Sequence, residues 1–243
     1  MTQRFRRALK LSLAAALAGL VALVAVHDVP TGPTAKDARY ARLILDAAGY
    51  GDVREGLRTH DFEGEVRVIL AVQDAVLRVA GEDRAIPFGR PREPKDLYEV
   101  KHGLCFDRSR AIEKILTWLG FETRHVAVYA TKATSVIAAL TTRQSPSHAV
   151  SEVLTRKGWM VVDSNRRWIA LDESRNVVSL ADLRNGAAAE KGWAADSRAR
   201  IDTIFTGPFV AIRGLYSRHG NFYPPYTPLP DYNLRQLLSN ASD

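Results

Sequence analysis

The chain of 243 residues holds a single cysteine. One cysteine forms no disulfide within the chain. Nor does it build a structural zinc site that needs two or more thiolates. The sequence has no glycine-rich nucleotide loop and no calcium loop of the EF-hand type. It has no internal repeat and no second hydrophobic domain. It also lacks a basic block interleaved with aromatics, although the net charge is +7. Its cations alternate with acids, as in the run RARID at residues 198–202. That pattern excludes a nucleic-acid groove as the reading. No cofactor and no metal are expected.

What is present is ordinary for a globular protein: 46% hydrophobic and 25% charged residues. The length suits one domain with a leader and a tail. The first thirty residues stand apart. Arg4, Arg6, Arg7 and Lys10 precede an apolar run, Leu11 to Val26, in which only Ser12 is clearly polar. This is the pattern of a secretory signal or a signal anchor. The run is shorter than the ~20 residues of a full span, a deficit that tilt or local thinning covers. No clean Ala-x-Ala motif stands directly before His27. An uncleaved anchor is therefore preferred to a removed peptide. A buried core helix fits less well, because it rarely carries an N-terminal basic cluster. The basic residues stay on the cytoplasmic side. The domain is then expected outside the cytoplasm, held at the inner membrane through residues 4–26. If the leader is cleaved, it is periplasmic or secreted. Without residues 1–30 the net charge falls to +4.

Residues 27–34 contain two prolines and a glycine and read as a linker. A domain is expected over 31–200, with an aromatic, proline-rich extension over 201–243 packed on it. Thr34 and Asp37 have capping-box spacing, which predicts a helix to about Ala48, stopped by Gly49 and Gly51. Apolar spacing from Val66 to Leu77 predicts a second helix over Glu63 to Ala80. Residues 81–97, rich in charge, glycine and proline, read as a long loop. A helix follows from Cys105, with Ala111, Ile112, Ile115, Leu116 and Leu119 on its apolar face and Gly120 as its stop. Glu122 to Ala130 reads as a strand, and 131–146 as irregular or partly helical. His148 to Thr155 and Trp159 to Asp163 read as two strands joined at a short turn with Gly158. A turn at Asp172 to Ser174 and a short helix capped by Ser179 and Asp182 follow. Helices first and strands after them predict an α+β domain.

The lone thiol is either a small buried hydrophobe or a reactive group. Cys105 is placed at a helix N-terminus, where the macrodipole favours thiolate. Gly103 allows close backbone approach at the turn into the helix. A nucleophile needs a base, and the base needs an orienting partner. His148 and Asp163 are fifteen residues apart. In a bulge-free hairpin, an odd separation puts both side chains on one face. A pairing sum of 311 sets them directly opposite, with Thr155-Arg156 as the turn. A sum of 313 sets them diagonally, with Arg156-Lys157 as the turn. A sum of 315 leaves them four residues out of register. The Cys105 helix is expected to pack over the pair. Asp163 would then fix the tautomer of His148.

The stretch GLCFDRSRAIEKILTWLGFETRHVAVY resembles the core motif of the transglutaminase-like superfamily. SHAVSEVL and GWMVVDSN resemble its histidine and aspartate strands. The likeness spans roughly residues 65–168. It implies a papain-like α+β scaffold, a triad of Cys105, His148 and Asp163, and acyl transfer from an amide through a thioester. The histidine strand departs from many members, which carry an aromatic soon after the histidine. For the oxyanion donor the candidates are the backbone N–H of Cys105 and the side chains of Gln73 and Tyr98. His102 is a weaker alternative base, His219 a weaker candidate for the cleft, and His125 reads as structural. Tyr216, Phe222, Tyr223 and Tyr226 read as packing, and Trp118, Trp159 and Trp168 as core. The expected substrate is a protein or peptide of the cell envelope. Cross-linking, deamidation and hydrolysis stay open. Two other readings remain: an inactive fold serving as an envelope binding or assembly module, and an acyltransferase using a coenzyme A thioester. The exported location argues against the latter.

Overall fold

The fold was analysed in a computed structural model. The structure describes Gly19 and residues 26–82, 84–131, 136–143, 145–186, 201–218, 221–222, 226 and 229–241. The apolar run therefore lies, apart from Gly19 and Val26, outside the described residues. Among the described residues no helix is long and apolar enough to cross a membrane.

Helix α1 covers Ala35–Ala47. Its capping box is formed: Thr34 Oγ1 accepts the Asp37 N–H at 3.1 Å, and Asp37 accepts the Thr34 N–H at 2.8 Å. A 3₁₀ turn, Val53–Thr59, leads to helix α2, Phe62–Val79, capped by Asp61. Helix α3, Pro94–Val100, corrects the expected loop over 81–97. Pro94 is the first helical residue, where its fixed φ is pre-organised and its missing N–H costs nothing. Asp96 accepts the Glu93 N–H at 3.2 Å and completes the start. Helix α4, Cys105–Trp118, begins and ends as its sequence predicts.

Strand β1, Glu122–Ala130, is followed by the short helix α5, Val136–Thr141. Then come β2, Ser147–Thr155, and β3, Gly158–Val162. Helix α6 is Leu180–Arg184, opened by the expected Ser179–Asp182 box. The tail carries β4, Phe209–Arg213, β5, Leu215–Tyr216, β6, Asp231–Tyr232, and helix α7, Leu234–Ser239. The main sheet is antiparallel, in the order β3-β2-β1-β4. Strand β4 is an addition to the sequence reading. Its five residues sit between Gly207-Pro208 and Gly214, which is strand punctuation. The proline-rich tail around it masked that signal.

The α+β expectation holds: N-terminal helices pack on one face of a four-stranded sheet. On that face Val153, Met160 and Val162 join Ile69, Val72, Ile112 and Leu116 in one core. The other face buries Val126, Val150 and Val161 against Trp168, Leu180 and Phe205. The expected linker is strapped down. Val29 N–H donates to the Tyr232 carbonyl at 2.8 Å, and Lys114 Nζ donates to the Gly32 carbonyl at 2.6 Å.

Candidate active site

Cys105 is the first residue of α4 and is half-buried. The loop leading to it is tightly held. A Cβ on Gly103 would stand 2.9 Å from both the Asp107 Cβ and a Leu97 methyl, so only glycine fits. Asp107 accepts the N–H of Leu104 at 3.1 Å and of Ile86 at 3.0 Å. Arg92 Nε stands 3.5 Å from the same carboxylate. Arg92 also donates to the carbonyls of Ile86 and Ser217. Burial pushes the Asp107 carboxyl up to about 6, against the opposing pull of Arg92 and the two N–H groups. The first N–H groups of a helix have no intrahelical acceptor. Among the described residues, nothing accepts from the Cys105 N–H.

His148 is the second residue of β2, and Asp163 follows the last residue of β3. The hairpin pairs Ser151 with Val162 and Thr155 with Gly158. That is the diagonal alternative, with Arg156-Lys157 as the turn. The ring Nε2 of His148 lies 3.3 Å from Asp163 Oδ1. Asp163 also accepts the N–H groups of Asn165 at 2.6 Å and Arg166 at 2.9 Å. It thus forms the turn and orients the imidazole at once. Burial works against charge on the imidazole, but the Asp163 carboxylate overrides it and, with Cys105, holds the ring well above its ordinary value. Burial likewise opposes charge on Asp163. His148 and the two turn N–H groups hold that carboxyl below its ordinary value. Cys105 is among the groups that act on this ring and so lies beside it. Such contacts are often loose before substrate binds.

The packing expected of α4 needs correction. Side chains alternate faces along a strand. Ser151 of β2 meets α4, its hydroxyl 3.0 Å from that of Ser109. His148 and Val150 therefore point to the opposite face. The body of α4 does not lie over the His148–Asp163 pair. Only its first turn, at Cys105, reaches the pair.

Gln73 is also corrected. Its amide nitrogen donates to the carbonyls of Asp163, Arg166 and Trp168 at 2.8, 3.0 and 2.7 Å. An amide has two protons, so none is left for an oxyanion. Gln73 instead clamps the turn that carries Asp163. Tyr98 has a different setting. It meets Tyr40 edge-on at 5.9 Å, has Lys101 over its ring and packs against the helix-side core. Of the named donors, the Cys105 N–H is without an acceptor among the described residues. His102 pairs with Gly81 through an isolated bridge. His125 is buried beside Glu113, as its structural reading requires. Trp168 is core, but Trp159 is half-buried with Arg124 over its ring. Tyr216 and Phe222 are buried, and Tyr226 donates to the Leu140 carbonyl at 2.7 Å. His219 and Tyr223 lie outside the described residues.

Two residues near the site escape the sequence reading. Arg108, one turn after Cys105, bonds Asn165 in the turn after Asp163 and Glu82 at 3.2 Å. Its spacing of three from Cys105 was a legible signal. Asp202 was not legible, because only the fold brings it beside the hairpin. Its carboxylate converges with His148 and Asp163, the ligand atoms all within 4.8 Å of one another.

A base, an orienting acid and a thiol at a helix mouth can form and break a thioester. Compared with known families, residues 56–164 match the sequence model of the Transglutaminase-like superfamily. No curated protein matches the chain. Residues 56–164 thus form a core domain of the transglutaminase-like superfamily.

Proposed function

We propose that this protein is an exported cysteine acyl-transfer enzyme acting on carboxamide or peptide bonds of envelope proteins. The observation that carries the reading is the thiol of Cys105 facing an imidazole that Asp163 holds. The sulfur attacks the substrate carbonyl, and the Cys105 N–H takes the developing oxyanion. His148 passes a proton to the departing amine, which leaves a thioester. Water or a second amine then releases the acyl group. Water acting on a side-chain amide gives deamidation, and on a backbone amide hydrolysis. An amine acceptor gives cross-linking. The basic start and apolar run at residues 4–26 support an extracytoplasmic location.

The test is to trap the acyl adduct. The full chain is incubated with envelope extract, quenched in acid and mapped by mass spectrometry. A substrate-derived mass on Cys105 is expected, absent from Cys105→Ala and depleted in His148→Ala. A Cys105→Ala protein as active as wild type on every amide tested would end the reading.

One observation favours a second reading, an inactive envelope binding or assembly module. Gln73 is committed to the turn, so no side-chain donor is assigned to the oxyanion. Failure of any adduct to form, with a folded protein that captures an envelope partner, selects it.

A further inference from the structure

Asp163 is fully buried, yet one of its oxygens, Oδ2, has no hydrogen-bond partner among the described residues. Its other oxygen is saturated by two N–H groups and the imidazole. A buried carboxylate oxygen without a partner is costly. Beside it stands a second acid. Asp202 is the N-cap of the 3₁₀ turn Thr203–Phe205, and its Oδ1 accepts the Ile204 N–H at 3.0 Å. Ligand atoms of Asp163, Asp202 and His148 lie within 4.8 Å of one another. Two acids and an imidazole converging on an unpartnered oxygen call for a cation.

The donor set suits a small ion. Bonds of about 2.0–2.1 Å to nitrogen and oxygen in a tetrahedral site set neighbouring ligand atoms about 3.3–3.4 Å apart. The three candidate ligand atoms, within 4.8 Å of one another, come to that spacing by small side-chain shifts. One imidazole and two carboxylates also match the ligand preference of zinc better than that of calcium or magnesium, which take mostly oxygen.

We propose that His148, Asp163 and Asp202 bind one divalent transition-metal ion, with Zn²⁺ the best fit, and that this ion blocks the proposed acyl transfer. The inhibitory half of the proposal rests on the function proposed above. With the metal on Nε2, the neutral ring carries its one proton on Nδ1 and cannot take another from the thiol. Asp163, drawn onto the metal, no longer orients the ring. Asp202 has no part in the acyl-transfer steps, so it acts as the selective handle for the ion. The fourth position is left for water.

The experiment uses the full chain, stripped of metal, with Co²⁺ as the spectroscopic probe and Zn²⁺ in calorimetry. Wild type is expected to bind one ion per chain, with the visible absorption of four-coordinate Co²⁺. Cys105→Ala is expected to keep that binding. Asp202→Asn keeps the cap on Ile204 but loses the charged ligand. It should weaken Zn²⁺ binding at least about tenfold, the loss typical even of supporting partners. Asp202→Ser is the second variant and should behave alike. Binding lost in Cys105→Ala but unchanged in Asp202→Asn would place the metal on the thiol and overturn the site. No stoichiometric binding to wild type would overturn it too. Binding that leaves formation of the Cys105 adduct unchanged overturns the inhibitory half alone. Absence of any adduct without metal, with binding intact, strikes the proposed function instead.

Discussion

Two buried histidine–acid pairs flank helix α4, and the tighter one is away from the thiol. His125 Nδ1 lies 2.7 Å from Glu113, against 3.3 Å for His148 and Asp163. The Glu113 oxygen is further bonded by Ser109 at 3.0 Å and Ser151 at 3.2 Å. Tyr216 stacks on the His125 ring at 4.1 Å, and Gln236 accepts the His125 N–H. That network joins α4, β1, β2 and the tail, and no nucleophilic thiol is part of it. The pair at Cys105 is looser, sits at the end of the sheet, and keeps one acid oxygen unpartnered. Distance alone would favour the pair in that network. What separates them is the company: hydroxyls and an aromatic ring fix His125, whereas a thiol and a second acid face His148.

The comparison breaks most easily at its ends. Cys105→Ala is expected to lower amide turnover by at least about 10³-fold, as for other nucleophiles in triads. Its stability in urea should change little. Glu113→Ala should show the reverse. It leaves His125 and two serines buried without their acceptor, which costs about 3–5 kcal/mol. Turnover per folded molecule should stay within about threefold. Urea unfolding and active-site titration of the same samples separate the two effects. If Glu113→Ala unfolds normally and loses turnover, the two networks are one.

Asp107 gives a smaller, pH-dependent effect. Its carboxyl is raised to about 6 in the folded protein, above its ordinary 3.8. The folded state therefore holds this proton more tightly than the unfolded chain. The stability it contributes is complete below about pH 4 and is lost as pH rises to about 6. The change is on the order of 3 kcal/mol. Urea midpoints from pH 4 to 7 should fall over that window, and Asp107→Asn should flatten the fall. An unchanged slope in the variant would assign the pH dependence to another group.

How much of this was legible follows from the range of each interaction. Local signals served well: the Thr34 and Ser179 boxes, the helix from Cys105 to Gly120, and β1 all lie where their residues predict. The hairpin parity brought His148 and Asp163 to one face, because a period of two leaves little choice. What failed depended on distant partners. Which face α4 covers is set by Ser151 and Val153 meeting Ser109 and Ile112, and no spacing encodes that. Gln73 looked like a free donor because its three acceptors lie 90 or more residues away. Asp202 reaches the hairpin only through the fold of the tail. Pro94 and Phe209–Arg213 were different, since their local signals were present but outweighed by the composition around them.

The smallest expected effect concerns Gln73. It touches Asp163 only through backbone carbonyls, so its removal should loosen the turn rather than remove a reacting group. Gln73→Ala is expected to cost about 1–2 kcal/mol of stability. A displaced Asp163 orients His148 less well, and misplacement of about 1 Å costs up to about 10²-fold in rate. With Arg108 still holding Asn165, a fall of about tenfold in kcat is expected, with KM within about twofold. Such a split marks an interaction that positions the machinery without binding substrate. A rise in KM at constant kcat would mean that Gln73 meets the substrate after all. The clamp seen at the turn would then be a resting arrangement that opens when the amide binds.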